Sequence, residues 1–311
     1  MSAHSRFSAL REVVRAAARV ARDGGPASAA LDSLAADARH RGVPERLLRP
    51  SLVIAARGWS DETLPLGLSR QLSASNGAAV AAFNSELLSL LAERVGRAGE
   101  STAEALLLGD AALLPGLYGS LAAFPLRLPI AATASATDHG EAPLYLRARG
   151  GVLGLMALGS LAELARAHSR PWNDGARTWR VPRRELMVTM LVARLGDPLA
   201  HPDPTLWHHL ALLLLVWPEA EGRALVLEHA ARLGLLTQVA RGFAIVGHLF
   251  PELKGWVQTG RVVQLSFLER SVAVPLAARQ LVGAAFGEDA EEARRSEKQE
   301  APMLARTAQS V

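Results

Sequence analysis

The stretch EALLLGDAALLPGLYGSL, residues 104–121, holds the residues best placed to do chemistry. A hydrophobic run ends in Gly109-Asp110 and passes into an alanine- and leucine-rich segment that reaches Leu117-Tyr118. That order is the order of a strand that delivers a glycine turn to the start of a helix. Free N–H groups at a helix start hold phosphates, so Gly109 and Asp110 are candidate nucleotide-binding positions. The stretch has no lysine, and no serine or threonine stands beside the turn. Asp110 also reads as a cap for the helix that follows it.

Other combinations are weaker. Asp138, His139 and Glu141 could form a metal site, but no motif supports it, and turn chemistry accounts for Asp138. His208 and His209 are neighbours in an apolar helix, where adjacent side chains point about 100° apart. They do not converge on one metal easily. The expectation is a buried, hydrogen-bonded histidine beside an exposed one. His201, His229 and His248 show no ligand spacing. There is no Walker A sequence, no Gly-x-Gly-x-x-Gly opening a helix and no Gly-x-Ser-x-Gly elbow. The glycines of RGGVLG (149–154) read as the end of a strand and the start of a helix. The tryptophans at 172, 179, 207, 217 and 256 read as core anchors.

The composition sets the frame. Half of the 311 residues are hydrophobic and 21% are charged, enough to bury a substantial core. Lys254 and Lys298 are the only lysines among 34 basic residues, an arginine bias that fits a high-GC bacterial genome. A net charge of +4 does not point to nucleic acid. The absence of cysteine excludes disulfides, thiolate metal sites and cysteine nucleophiles. The N-terminus lacks an apolar signal segment, and the longest apolar runs, such as LALLLLVW (210–217), fall well short of the ~20 residues of a membrane span. These features predict a cytoplasmic protein.

Periodicity predicts the elements that must position the candidate residues. Helices are expected at 5–22, 27–40, within 42–59 and at about 76–96. On the first, Arg11, Arg15, Arg19 and Arg22 form a stripe beside the apolar face, read as arginine stems covering the core edge, with docking of an acidic partner as the alternative. From 104 to 182 the pattern changes. Strands are expected at EALLL, within 126–135, at 143–150 and at 176–182, with a helix at 152–169. Helices then return at 183–197, 204–217, 219–233, 235–250, 257–269 and from Pro275 to about Phe286. The predicted class is α+β, mostly α, with a small mixed sheet inserted at about 104–182. The regions are an N-terminal helical part (1–100), an α/β core (101–182), a C-terminal helical part (183–286) and a charged tail (287–311) expected to be disordered.

This layout resembles a bacterial nucleotidyltransferase family whose members are often described as uncharacterised. The resemblance covers roughly residues 45–255. The helix with Asn84, Leu87 and Leu88 fits an asparagine- and leucine-rich helix, and LLLGDAALL (106–114) fits the strand that ends in Leu-Lys-Gly. Leu117-Tyr118 fits a Leu-Tyr pair, and RVPRRELMVTMLVARLGDP (180–198) fits a Val-Pro element with its helix. The resemblance implies a nucleotidyltransferase-type sheet, in which two acids one residue apart on a strand, with a third nearby, hold Mg²⁺ on a triphosphate. Carboxylates suit this because Mg²⁺ takes hard oxygen ligands.

The chain departs from that pattern where the chemistry lies. The motif lysine is Leu108. If Arg127 is the family arginine, the acid strand is IAATAS; if the strand is PLYLRARG, the acid positions fall near Pro143 and Tyr145. Neither register has an Asp-x-Asp, and the third position falls in ARTWRVP, at Thr178 or Arg180. The vestigial nucleotide site is then Gly109, Asp110 and Arg127, with Arg147 and Arg149 as further cations for a phosphate. No catalytic residue, metal or cofactor is expected. The functional expectation is a degenerate, non-catalytic nucleotidyltransferase-like protein that binds, scaffolds or regulates another protein, with weak nucleotide binding at most. The alternatives are an active Mg²⁺-dependent nucleotidyltransferase with displaced acids, and a helical module that binds an acidic partner.

Overall fold

The computed structural model describes residues 2–23, 28–56, 77–97, 99–126, 130–133, 144–148, 151–157, 162–197, 205–217, 219–257 and 264–287. The chain begins with α1 (Ala3–Asp23), α2 (Ser28–His40), α3 (Glu45–Ala56) and α4 (Gly77–Arg97). It enters the sheet through β1 (Leu106–Leu108) and a short helix, α5 (Asp110–Leu113), that continues as a π-helical turn (Leu114–Tyr118). Then follow β2 (Ile130–Thr133), β3 (Leu144–Ala148), β4 (Gly151–Ala157), α6 (Ala162–Ala167), β5 (Ser169–Asn173) and β6 (Thr178–Pro182). The remaining helices are α7 (Arg184–Gly196), α8 (Leu206–Val216), α9 (Glu219–Arg232), α10 (Leu236–Leu249), α11 (Lys254–Val257) and α12 (Val274–Phe286). The class is α+β, mostly α, with a mixed sheet, as the sequence predicts.

The two ends of the chain share a core. Leu10, Val13, Val14 and Ala17 of α1 are fully buried. Phe7 meets the Trp207 ring edge-on at 5.5 Å and the Phe250 ring at 6.1 Å. Trp179, Trp207 and Trp256 are buried as the sequence predicts, and Trp172 packs partly buried against the core. Part of the arginine stripe of α1, Arg11 and Arg15, is engaged within the molecule, while Arg19 and Arg22 are exposed. Arg15 holds Glu252 in a two-pronged ion pair, with Nη2 2.7 Å from Oε2. The Arg11 guanidinium lies 5.9 Å from the centre of the Phe7 ring, and Arg22 pairs with Asp23. Arg6 and Arg46 reach the last carbonyls of α12, at Phe286 (3.4 Å) and Ala285 (2.7 Å). Cations are favoured there because the carbonyls at a helix end carry partial negative charge.

The sheet has the order β3-β4-β2-β1-β6-β5. β1 lies at its centre, antiparallel to β2 with Leu107 opposite Ala131, and parallel to β6 with Leu106 opposite Arg180. Residues paired across strands share a face. Ala105, Leu107, Ala131, Trp179 and Val181 face the helical core. Leu106, Leu108 and Ala132 are buried outside that core, on the other face. Burial on both faces explains why β1 is a continuous leucine run rather than an alternating strand. β5 is an edge strand, and its Pro171 pairs with Arg180, whose N–H is given to Ala105 O of the neighbouring chain segment. Pro171 is therefore at a non-hydrogen-bonded position, where a missing donor is tolerated and the edge is blunted.

Several sequence expectations are corrected. The helix expected at 152–169 is a strand at its start: Gly151–Ala157 forms β4, parallel to β2 and antiparallel to β3, and only Ala162–Ala167 is helical. Leu, Met and Ala favour a helix locally, but a free edge on β2 takes the segment into the sheet. Gly151 and Gly154 thus lie within a strand. β5 is absent from the expected strands; it pairs with β6 as a hairpin. The helix expected at 257–269 does not run through, because Gln264, Leu265 and Ser266 are not helical. Ser266 instead opens the next helical segment with a capping box, taking the Glu269 N–H on its hydroxyl while the Glu269 carboxylate accepts the Ser266 N–H. The strand end and turn at 134–143, the residues 98, 127–129, 149–150 and 201–204, and the tail at 288–311 lie outside the described residues.

Candidate functional site

Gly109 ends β1 with φ 58° and ψ −132°, a conformation open to glycine and strained for other residues. It occupies the cap position itself, which corrects the reading of Asp110 as the cap. Asp110 is the first helical residue and is 5% exposed. A carboxylate there is favoured by the partial positive charge of the helix start. Pro115 then removes a helical donor, and the chain widens into the π-helical turn that Gly119 closes at φ 67°. This turn brings Tyr118 inward, its hydroxyl 2.6 Å from His209 Nδ1.

The segment between this turn and β2 is clamped from below. The Asn84 side chain on α4 donates to Leu121 O (2.7 Å) and Phe124 O (2.8 Å) and accepts from Leu126 N–H (2.8 Å). Arg49 of α3, also buried, donates to Ala122 O. Burial pushes the Arg49 pKa down. The sequence marked Asn84 only through its helix motif and missed Arg49. A charged residue inside the apolar run LLRPSLVI was the available signal.

The acid positions implied by the family pattern can now be placed. Ile130 is opposite Leu108, and Ala131 and Ala132 are buried without exposure. On β6, Thr178 is exposed, while Arg180 is half-buried with Nε 2.8 Å from Ser169 Oγ and Nη2 3.3 Å from Arg166 O. Arg180 thus takes up a carbonyl at the end of α6. Arg127 and Arg149 fall outside the described residues, so Gly109 and Asp110 are brought together while the third member of the candidate set is not placed. Asp138, His139 and Glu141 fall outside as well. Among the described residues no group of three or more His, Asp or Glu side chains is arranged to hold a metal ion. Also among them, no helix is long and apolar enough to cross a membrane.

Both histidines of the 208–209 pair are buried, which corrects the expectation that one is exposed. α8 is enclosed all round, so His209 bonds Tyr118 while His208 Nε2 lies 3.1 Å from Ser51 Oγ on α3. Burial, and then His209, hold the His208 pKa well below the ordinary imidazole value. Burial is also the leading cause of the lowered pKa values of His229 and His248. A base with a lowered folded-state pKa binds fewer protons folded than unfolded. For the buried His208 and His229, stability is then complete above about pH 6.5 and falls as pH drops below it, by up to about 1.4 kcal/mol per pH unit for each; His248 is exposed, and solvent screening reduces its share. Urea unfolding at a series of pH values is expected to show this slope, and His208→Gln is expected to flatten it. A pH-independent midpoint across that range counts against the neutral buried imidazole.

Comparison of the chain with protein-family models, with curated proteins and with solved structures finds no match.

Proposed function

We propose that the protein is a nucleotidyltransferase-like protein without transferase chemistry, acting as a binding or scaffolding partner of another protein. The supporting arrangement is a strand, a glycine turn and a short helix, an antiparallel strand after it, and a parallel strand on the other flank of β1. One observation carries the non-catalytic part. On the sheet face turned away from the helical core, Leu106, Leu108 and Ala132 are buried apolar residues, and Arg180 beside them is engaged with Ser169. Among the described residues, this apolar face with its arginine offers Mg²⁺ none of the hard oxygen ligands it takes. Without chemistry, contacts remain as the means of acting, and this supports the partner reading.

The test is a transfer assay on the full chain with each ribonucleoside triphosphate, Mg²⁺ or Mn²⁺, and a lysate of the native host as acceptor, followed by affinity capture from the same lysate. No label transfer above the blank, with reproducible capture of a specific protein, is the expected result. Mg²⁺-dependent transfer that Asp110→Asn abolishes overturns the reading in favour of an active enzyme with displaced acids.

A further inference from the structure

His168 and His229 meet at the corner where the β5–β6 hairpin joins the helices. His168 lies between α6 and β5 and is fixed through its backbone: its N–H bonds Leu164 O at 2.9 Å, and its carbonyl accepts the Arg183 N–H at 2.7 Å. His229 stands on α9. The two rings pack edge to face with centroids 4.3 Å apart and planes at 67°. His229 is 1% exposed, and its Nδ1 has no hydrogen-bond partner among the described residues. Glu185 of α7 places Oε1 3.7 Å from His168 Nδ1. The remaining charged groups acting on His229 are Glu228 and Arg232 of its own helix, and these pair with each other at 2.8 Å.

The corner accommodates one proton and not two. A proton on His168, which is half-exposed, forms an ion pair with Glu185 and sets a cation against a neutral ring, an attractive contact. A second proton, on His229, places two cations in ring contact around a single nearby carboxylate. It also puts a further charge where burial leaves little water to solvate it.

We propose that the His168–His229 pair is a proton-operated latch, which holds the β5–β6 hairpin against α7 and α9 while it carries at most one proton and releases it when it carries two. Burial first, and His168 next, push the His229 pKa below the ordinary imidazole value, in line with exclusion of the second proton at neutral pH. Release frees the strand that carries Trp179 and Val181, both fully buried, and with it one flank of β1. The latch does not depend on the nucleotidyltransferase-like reading.

The test is hydrogen exchange of the full chain, followed by mass spectrometry between about pH 7.5 and about pH 5.5, the window in which imidazoles titrate. Rates are corrected for intrinsic exchange, and α1 serves as the internal reference. Protection of residues 169–182 is expected to fall several-fold relative to α1 as pH drops, with about tenfold as the ceiling for one excluded proton over this window. His229→Gln is expected to remove that response. His168→Gln, at a half-exposed position, provides a second variant with the same expected outcome if the first does not fold. Protection that tracks α1 at every pH, loss of protection throughout the chain at once, or an undiminished response in the variants overturns the latch.

Discussion

Gly242→Val is expected to destabilise the protein by at least about 3 kcal/mol, or to prevent folding outright. α7 and α10 cross with their backbones in contact. A Cβ on Gly242 would lie against Val192 O and 2.8 Å from Val192 Cγ1. On the facing helix, a Cβ on Gly196 would lie against Gln238 O and 2.5 Å from Gly242 N. The nearest of these atoms on each side are main-chain atoms, so no side-chain rotation relieves the clash and the helices must separate. Separation opens the buried seam that includes Leu195, Val239, Phe243 and Val246. Gly96→Ala is the contrasting experiment. Gly96 lies in α4 with nothing within 4 Å of a built Cβ, so alanine there is expected to stabilise by about 0.5 kcal/mol through helix propensity alone. Chemical denaturation of both variants checks the pair. Equal, small effects at the two glycines would contradict the backbone contact.

Asn84→Asp is expected to have the second-largest effect, about 3–4 kcal/mol at neutral pH, although it changes only one atom of the side chain. Aspartate keeps the acceptor that holds Leu126 N–H but loses both donors, and sets a carboxylate against Leu121 O and Phe124 O. The site is fully buried, so water does not take over these partners. The contact with two carbonyls raises the pKa of the introduced carboxyl above its unfolded value. The variant is therefore expected to recover part of its stability as pH falls, because a protonated carboxyl donates once again. Urea unfolding of the variant at neutral and acid pH reads this directly. Hydrogen exchange at residues 121–126 is expected to accelerate before exchange in α1 does. A variant as stable as the wild type at neutral pH removes the clamp from the account of how β2 is positioned.

Much of the helical architecture was legible because it depends on local pattern. Predicted and observed limits agree closely for α1, α4, α7, α8, α9 and α10, where apolar spacing and flanking glycines or prolines mark the ends. The leucine run of β1 and the glycine turn at Gly109 were legible for the same reason. β4 was misread because Gly151–Ala157 has helical composition, and only the pairing with β2 and β3 makes it a strand. β5 was missed because a short strand containing a proline carries no local strand signal, and its existence depends on β6. In the candidate site, Gly109 and Asp110 could be read from order along the chain. The burial of both His208 and His209 could not, since a helix that is apolar all round does not say how many sides its neighbours cover.

The sequence by itself determined the class, most of the helical segments, the lack of cysteine chemistry and the lack of spaced acids at 104–182, since all of these reside in composition and short-range spacing. Tertiary structure alone decided the contacts between distant residues. It set Asn84 and Arg49 under the segment 121–126, closed α7 on α10 through Gly196 and Gly242, and brought His168 to His229. The physical reason is range. Backbone propensity and hydrophobic periodicity act over a few residues, whereas pairing, close packing and desolvation depend on which segments the folded chain brings together.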